Sequence, residues 1–112
     1  MASGTIKTDG FYSARFNVPA SSTRYLSFPS GLKNGIIFTS GASNKRGVYI
    51  YGSTSSSGVN KTDIYAITQS GTGISETANA NYLTITNGST GMYVLVIAYF
   101  GSLPTLESTL PT

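Results

Sequence analysis

Residues 92–100 read Met92-Tyr93-Val94-Leu95-Val96-Ile97-Ala98-Tyr99-Phe100, the longest apolar run in the chain. Nine residues are far too few for a membrane helix, which needs about 20. The run is rich in β-branched and aromatic side chains, so it reads as a strand. It does not alternate apolar with polar. Met92, Val94, Val96, Ala98 and Phe100 fall on one face, and Tyr93, Leu95, Ile97 and Tyr99 on the other. A strand that is apolar on both faces needs cover on both. One cover is a sandwich core. The other is a neighbouring subunit, or else the chain's own loops and tail. We assign Tyr93, Leu95, Ile97 and Tyr99 to the oligomer interface.

Shorter apolar runs surround this one, separated by turn residues at intervals of about ten, the spacing of a sandwich or barrel. They lie at 11–18, 24–28, 35–39 (after the turn signal Asn34-Gly35), 48–51, 63–68, 74–76 and 82–86. The pattern predicts an all-β fold: a small antiparallel β-sandwich, jelly-roll-like, with about seven or eight strands. Segments 40–47, 52–60, 69–73 and 87–91 are loops by composition. The chain reads as a single β-sandwich domain over 1–112. Residues 1–10 form a polar N-terminal lead with no apolar core of a signal peptide. Residues 102–112 form a tail with Pro104 and Pro111, expected to dock along the domain or a neighbouring chain, or to fray.

Composition narrows the chemistry. Ser (17), Thr (15), Gly (13) and Asn (7) make up nearly half of the 112 residues, yet 21 Leu, Ile and Val and 13 aromatic side chains are enough for a core. The formal net charge is only +3, unlike the high charge of disordered chains. There is no Cys and no His. That removes disulfides, thiolate nucleophiles, the usual zinc sites and the Ser-His-Asp triad. No cofactor or metal is expected, and no catalytic residue is nominated. Among the four carboxylates, Asp63 and Glu76 are the one pair inside the expected core region, and they read better as solvated residues than as a glycosidase pair. The seven basic residues are scattered, with Lys45-Arg46 the lone doublet, so neither nucleic-acid binding nor membrane insertion is expected. Residues 46–51 faintly follow an RNA-binding aromatic strand, but that module needs helices that this chain does not offer.

Exposed aromatics are the stronger signal. Tyr49, Tyr51 and Tyr65 sit on the expected outward faces of their strands, with Val48 and Ile50 inward. Tyrosine joins a flat apolar ring to a polar tip, which suits sugar stacking and protein contacts. These three are the candidate ligand-binding residues.

The segments GIIFTSG (35–41), GVYIYGS (47–53) and NYLTITNGSTGMYVLVIAYFG (81–101) resemble, in pattern and composition, the C-terminal knob domains of bacteriophage and prophage tail-fibre proteins. The resemblance covers about residues 31–101 and carries no invariant ligand motif. It implies a receptor-binding knob in the virion, a homotrimer that holds a host surface polysaccharide or protein receptor. The alternatives are a stand-alone lectin-like module that binds carbohydrate, and a purely structural virion protein.

Overall fold

A computed structural model describes residues 11–29, 33–41, 45–55, 58–66, 71–101 and 104–111. It is an all-β sandwich of nine antiparallel strands in two sheets, with no helix among the described residues. The strands are β1 (Phe11–Val18), β2 (Ser22–Ser27), β3 (Lys33–Gly41), β4 (Gly47–Ser55), β5 (Gly58–Ala66), β6 (Gly73–Glu76), β7 (Tyr82–Asn87), β8 (Tyr93–Gly101) and β9 (Thr105–Glu107). The larger sheet runs β1-β8-β3-β4-β5 and the smaller β6-β7-β2-β9. Strands β1 and β2 follow β8 and β7 as paired neighbours, one pair in each sheet. That is the wrapping of a jelly roll. Strands β3, β4 and β5 depart from it, continuing as a simple meander within one sheet.

Three boundaries differ from the sequence reading. Asn34-Gly35 is not a turn: both residues pair within β3. The segment 52–60 is not an open loop, because β4 and β5 extend into it and pair at Ser53↔Val59 and Ser55↔Gly58. The tail adds a ninth strand, since Thr105–Glu107 pairs with β2 and closes that edge of the smaller sheet. The lead 1–10, and the part of the 63–68 run at Ile67 and Thr68, lie outside the described residues.

The core lies between the sheets. From the larger sheet it takes Val18, Ile37, Tyr49, Tyr51, Tyr93, Leu95, Ile97 and Tyr99, and from the smaller Leu26, Ile74, Leu83 and Ile85. Strand β8 is central in its sheet, as its apolar character requires, with β1 on one side and β3 on the other. The assignment of its faces must be reversed. Leu95 and Ile97 are fully buried and Tyr93 and Tyr99 nearly so, all within the chain's own core. The outward row is Val94, Val96, Ala98 and Phe100.

Tyr49 and Tyr51 are also corrected. Each is only 2% exposed, and Ile50 between them is 46% exposed. The physical reason is space. Gly35 stands opposite Tyr51 and Gly47 lies beside Tyr49, so both rings lie where a β-carbon would otherwise stand. An added Cβ on Gly47 would come within 2.9 Å of the Tyr49 ring. Larger residues at those two positions would block the inward rotamers.

Candidate functional site

The two outer faces of the sandwich differ in chemistry. On the larger sheet, register and alternation place Val94, Val96, Ala98 and Phe100 beside Ile36 and Phe38, then Val48 and Ile50. A bulge at β5 inserts Ile64 and sets Tyr65 opposite Val48. Phe38, Ile50, Tyr65, Val96 and Phe100 are each 41–53% exposed. Tyr65 therefore stays outward as expected, but it belongs to an apolar surface and is separated from Tyr49 and Tyr51. The rim carries Ser13, Arg15, Asn17 and Ser40, all exposed.

The smaller sheet turns out a different row. Thr23, Tyr25 and Ser27 of β2 stand opposite Thr86, Thr84 and Tyr82 of β7. Glu107 and Thr105 of β9 continue the row, and Ser75 of β6 faces Thr84. All of these but Glu107, Thr105 and Ser75 are half-buried. The Tyr25 and Tyr82 rings meet edge to face with centroids 5.8 Å apart. Such a pair is worth about 1 kcal/mol beyond its buried area and holds both rings in place.

A cleft of about 350 Å³ opens at the Ser27–Tyr82 end of this face. Its walls come from Ser27, Phe28, Tyr82 and Pro111, and from the turn at Asn79, Ala80 and Asn81. One hydrogen bond closes that turn and two tie it to the rest of the fold. The Ala80 amide donates to the Thr77 carbonyl (3.2 Å), Val59 donates to the Ala80 carbonyl (3.0 Å) and Phe28 donates to the Asn81 carbonyl (2.8 Å). Asn79 adopts a left-handed backbone, φ 61°. The side-chain oxygen of Asn81 is buried with no hydrogen-bond partner. An unmet buried acceptor costs about 1–3 kcal/mol.

A second cleft, about 230 Å³, lies at the other end of the sheet around Ser21, Thr86 and Asn87. Its amide is already engaged. Asn87 is fully buried, and its Nδ2 donates to the carbonyls of Val18, Pro19 and Gly91 at 2.9–3.1 Å.

The buried tyrosines form structural networks. Burial first, and then the neighbouring Tyr93, holds the Tyr49 hydroxyl well above the ordinary tyrosine range. Burial also raises Tyr51, with Tyr99 as the second cause, and Tyr93, which is hydrogen-bonded to Thr39 and Tyr49. Phe28 packs on Tyr51 and Tyr12 on Tyr99, with centroids 4.8 and 5.7 Å apart. Among the described basic residues, Lys33 and Lys45 are buried. Lys45 Nζ donates to the carbonyls of Thr90 (2.8 Å) and Gly91 (3.0 Å), tying the β7–β8 connection to the start of β4.

Asp63 and Glu76 both meet Lys61. Its Nζ pairs with Asp63 at 2.7 Å, and its backbone amide donates to Glu76 Oε1 at 2.9 Å. Both carboxylates are exposed. No group of three or more acidic residues that could hold a metal ion occurs among the described residues.

The Tyr25–Tyr82 face was not among the sequence candidates. Its signal was present in the alternation of Tyr82, Thr84 and Thr86 against Leu83 and Ile85. Comparison with protein-family models, curated proteins and solved structures returned no match to this chain.

Proposed function

We propose that the chain is a non-enzymatic binding knob of the phage tail-fibre kind. In this reading it is a homotrimer in the virion that holds a host surface polysaccharide or receptor on its smaller sheet. The observation that carries this reading is the opposite chemistry of the two outer faces. One is apolar at its centre, and the other offers hydroxyls around a tyrosine pair.

The apolar face suits further copies of the same chain. Five strands spaced about 4.8 Å apart, with some nine residues each at about 3.3 Å, span roughly 700 Å². A standard interface takes about 800 Å² from each partner. The tail strand β9 does not reach this face, since it is committed to the other sheet. Around a threefold axis each copy would bury this face against its neighbours, leaving the hydroxyl face outward three times over. Weak single contacts then gain by avidity.

Light scattering combined with a glycan array tests the reading. A trimer that binds glycan supports it. A monomer that binds glycan fits a stand-alone lectin-like module, and a trimer that binds nothing fits a purely structural virion part.

A further inference from the structure

We infer that the cleft at the Ser27–Tyr82 end of the smaller sheet is a subsite for one neutral hexose-type unit, held by the Asn79 amide against Tyr82. The inference rests on the reading of the chain as a glycan-binding knob, and it gives that reading a location and a ligand class.

Size comes first. A cleft of about 350 Å³ lies at the small end of the range for ligand pockets. It fits a sugar unit or two rather than a folded partner. Charge comes second. Among the described residues no charged side chain lines the cleft, so none of them balances a carboxylate or phosphate there. Polar chemistry comes third. An asparagine amide supplies one acceptor oxygen and two donor hydrogens, a set matched by adjacent sugar hydroxyls that both donate and accept. Asn81 Oδ1 is itself buried with no partner among the described residues, so the exposed Asn79 amide is the group placed to meet a sugar hydroxyl. The apolar side comes fourth. Tyr82 is half-buried, set by its edge contact with Tyr25, and Pro111 adds to the wall. A pyranose has an apolar C–H face that packs on such a ring.

The site is also held in place before any ligand arrives. One backbone hydrogen bond closes the 77–81 turn on itself, and two more anchor it to Val59 of β5 and to Phe28 just after β2. Little ordering is left to oppose binding. The cleft at the opposite end has no free amide to offer a ligand, because the Asn87 Nδ2 is already committed to three carbonyls.

The test is an NMR titration of the isotope-labelled full chain. The probes are neutral gluco-, galacto-, manno- and N-acetylglucosamine oligosaccharides, with sialylated and uronic-acid oligosaccharides alongside. The inference predicts shifts at the Asn79 side-chain amide and at Tyr82 with a neutral sugar. Asn79→Gly and Tyr82→Ala should each weaken binding by about tenfold or more, the loss of one well-used group. Thr90→Ala, an exposed change in the β7–β8 connection at the opposite end of β7 from Tyr82, should leave affinity unchanged. Should Asn79→Gly fail to fold, the shift map and Tyr82→Ala decide. Binding of a neutral sugar with shifts elsewhere and unaltered variants overturns the subsite alone. Binding of the acidic sugars only overturns the ligand class. No response to any sugar overturns both the subsite and the glycan reading.

Discussion

The Tyr51 hydroxyl lies 2.6 Å from the point where a β-carbon on Gly35 would stand. The two residues are direct cross-strand partners in β3 and β4. The ring occupies the space that a side chain would take, and there it packs against Phe28 at 4.8 Å. The same β-carbon would approach the Ala98 carbonyl to 2.4 Å, and that backbone atom cannot swing aside. Gly35→Ala is therefore expected to destabilise the fold by about 1–3 kcal/mol, the usual cost of overpacking. Chemical denaturation of the purified variant measures it. An unchanged midpoint would mean that Tyr51 is not seated over Gly35.

Adjacent residues of β8 should behave in opposite ways. Leu95 and Ile97 are fully buried, so truncating either to Ala should cost about 2–5 kcal/mol. Val96 lies between them and is 41% exposed. Val96→Ala should change the stability of a single chain by less than about 1 kcal/mol, the range of surface changes. Thermal unfolding under dilute conditions distinguishes the two. Equal losses at positions 95 and 96 would reject the inward row.

The alkaline limit of stability follows from the buried phenols. Tyr49, Tyr51 and Tyr93 are held above the ordinary value near 10, in each case chiefly by burial. Folding favours their protonated forms. Their contribution is complete below about pH 10, where the unfolded chain also keeps its protons, and it is lost as pH rises above that. Stability should be insensitive to these groups at neutral pH and should fall steeply above about pH 10. Tyrosinate absorbance followed together with circular dichroism should show a late rise coinciding with loss of the fold. A rise completed while the fold persists would contradict their burial.

Lys45 makes a narrower prediction. Its ammonium caps two carbonyls of the 88–92 connection. Lys45→Met keeps an apolar stem of similar length but leaves the Thr90 and Gly91 oxygens without that donor. A loss of about 2 kcal/mol is expected, as for hydrogen bonds to a charged group. Hydrogen exchange should accelerate around Gly91 and Met92. Unaltered exchange there would show that the clamp holds nothing.

The sandwich was legible in residue choice and spacing, because short β-rich runs between Ser/Thr/Gly/Asn turns admit few other architectures. Strand faces were legible where they differed. Leu83 and Ile85 alternate with Thr84 and Thr86, so their inward placement needs no further information. Strands β4 and β8 are apolar on both sides, so alternation sorts their residues into two rows without saying which row is inside. That choice depends on cross-strand partners. Gly35 admits Tyr51, and Gly47 leaves room for Tyr49, and neither relationship can be read before the register is known. For the same reason Asn34-Gly35 passed for a turn. The cleft was hidden because it joins Ser27, the 79–82 turn and Pro111, which lie far apart along the chain.

The most direct test of the two-faced account is the mass of the assembly, measured by light scattering at tens of micromolar for the wild type, Phe38→Lys and Ile50→Lys. Both side chains are 46% exposed on the outer face of the larger sheet, so their replacement leaves the core untouched. A buried unpaired charge is costly, and each lysine would sit inside the proposed subunit contact. The account predicts three chain masses for the wild type and a folded single chain for either variant. A wild type that runs as a monomer, or folded variants that keep the wild-type mass, would contradict it.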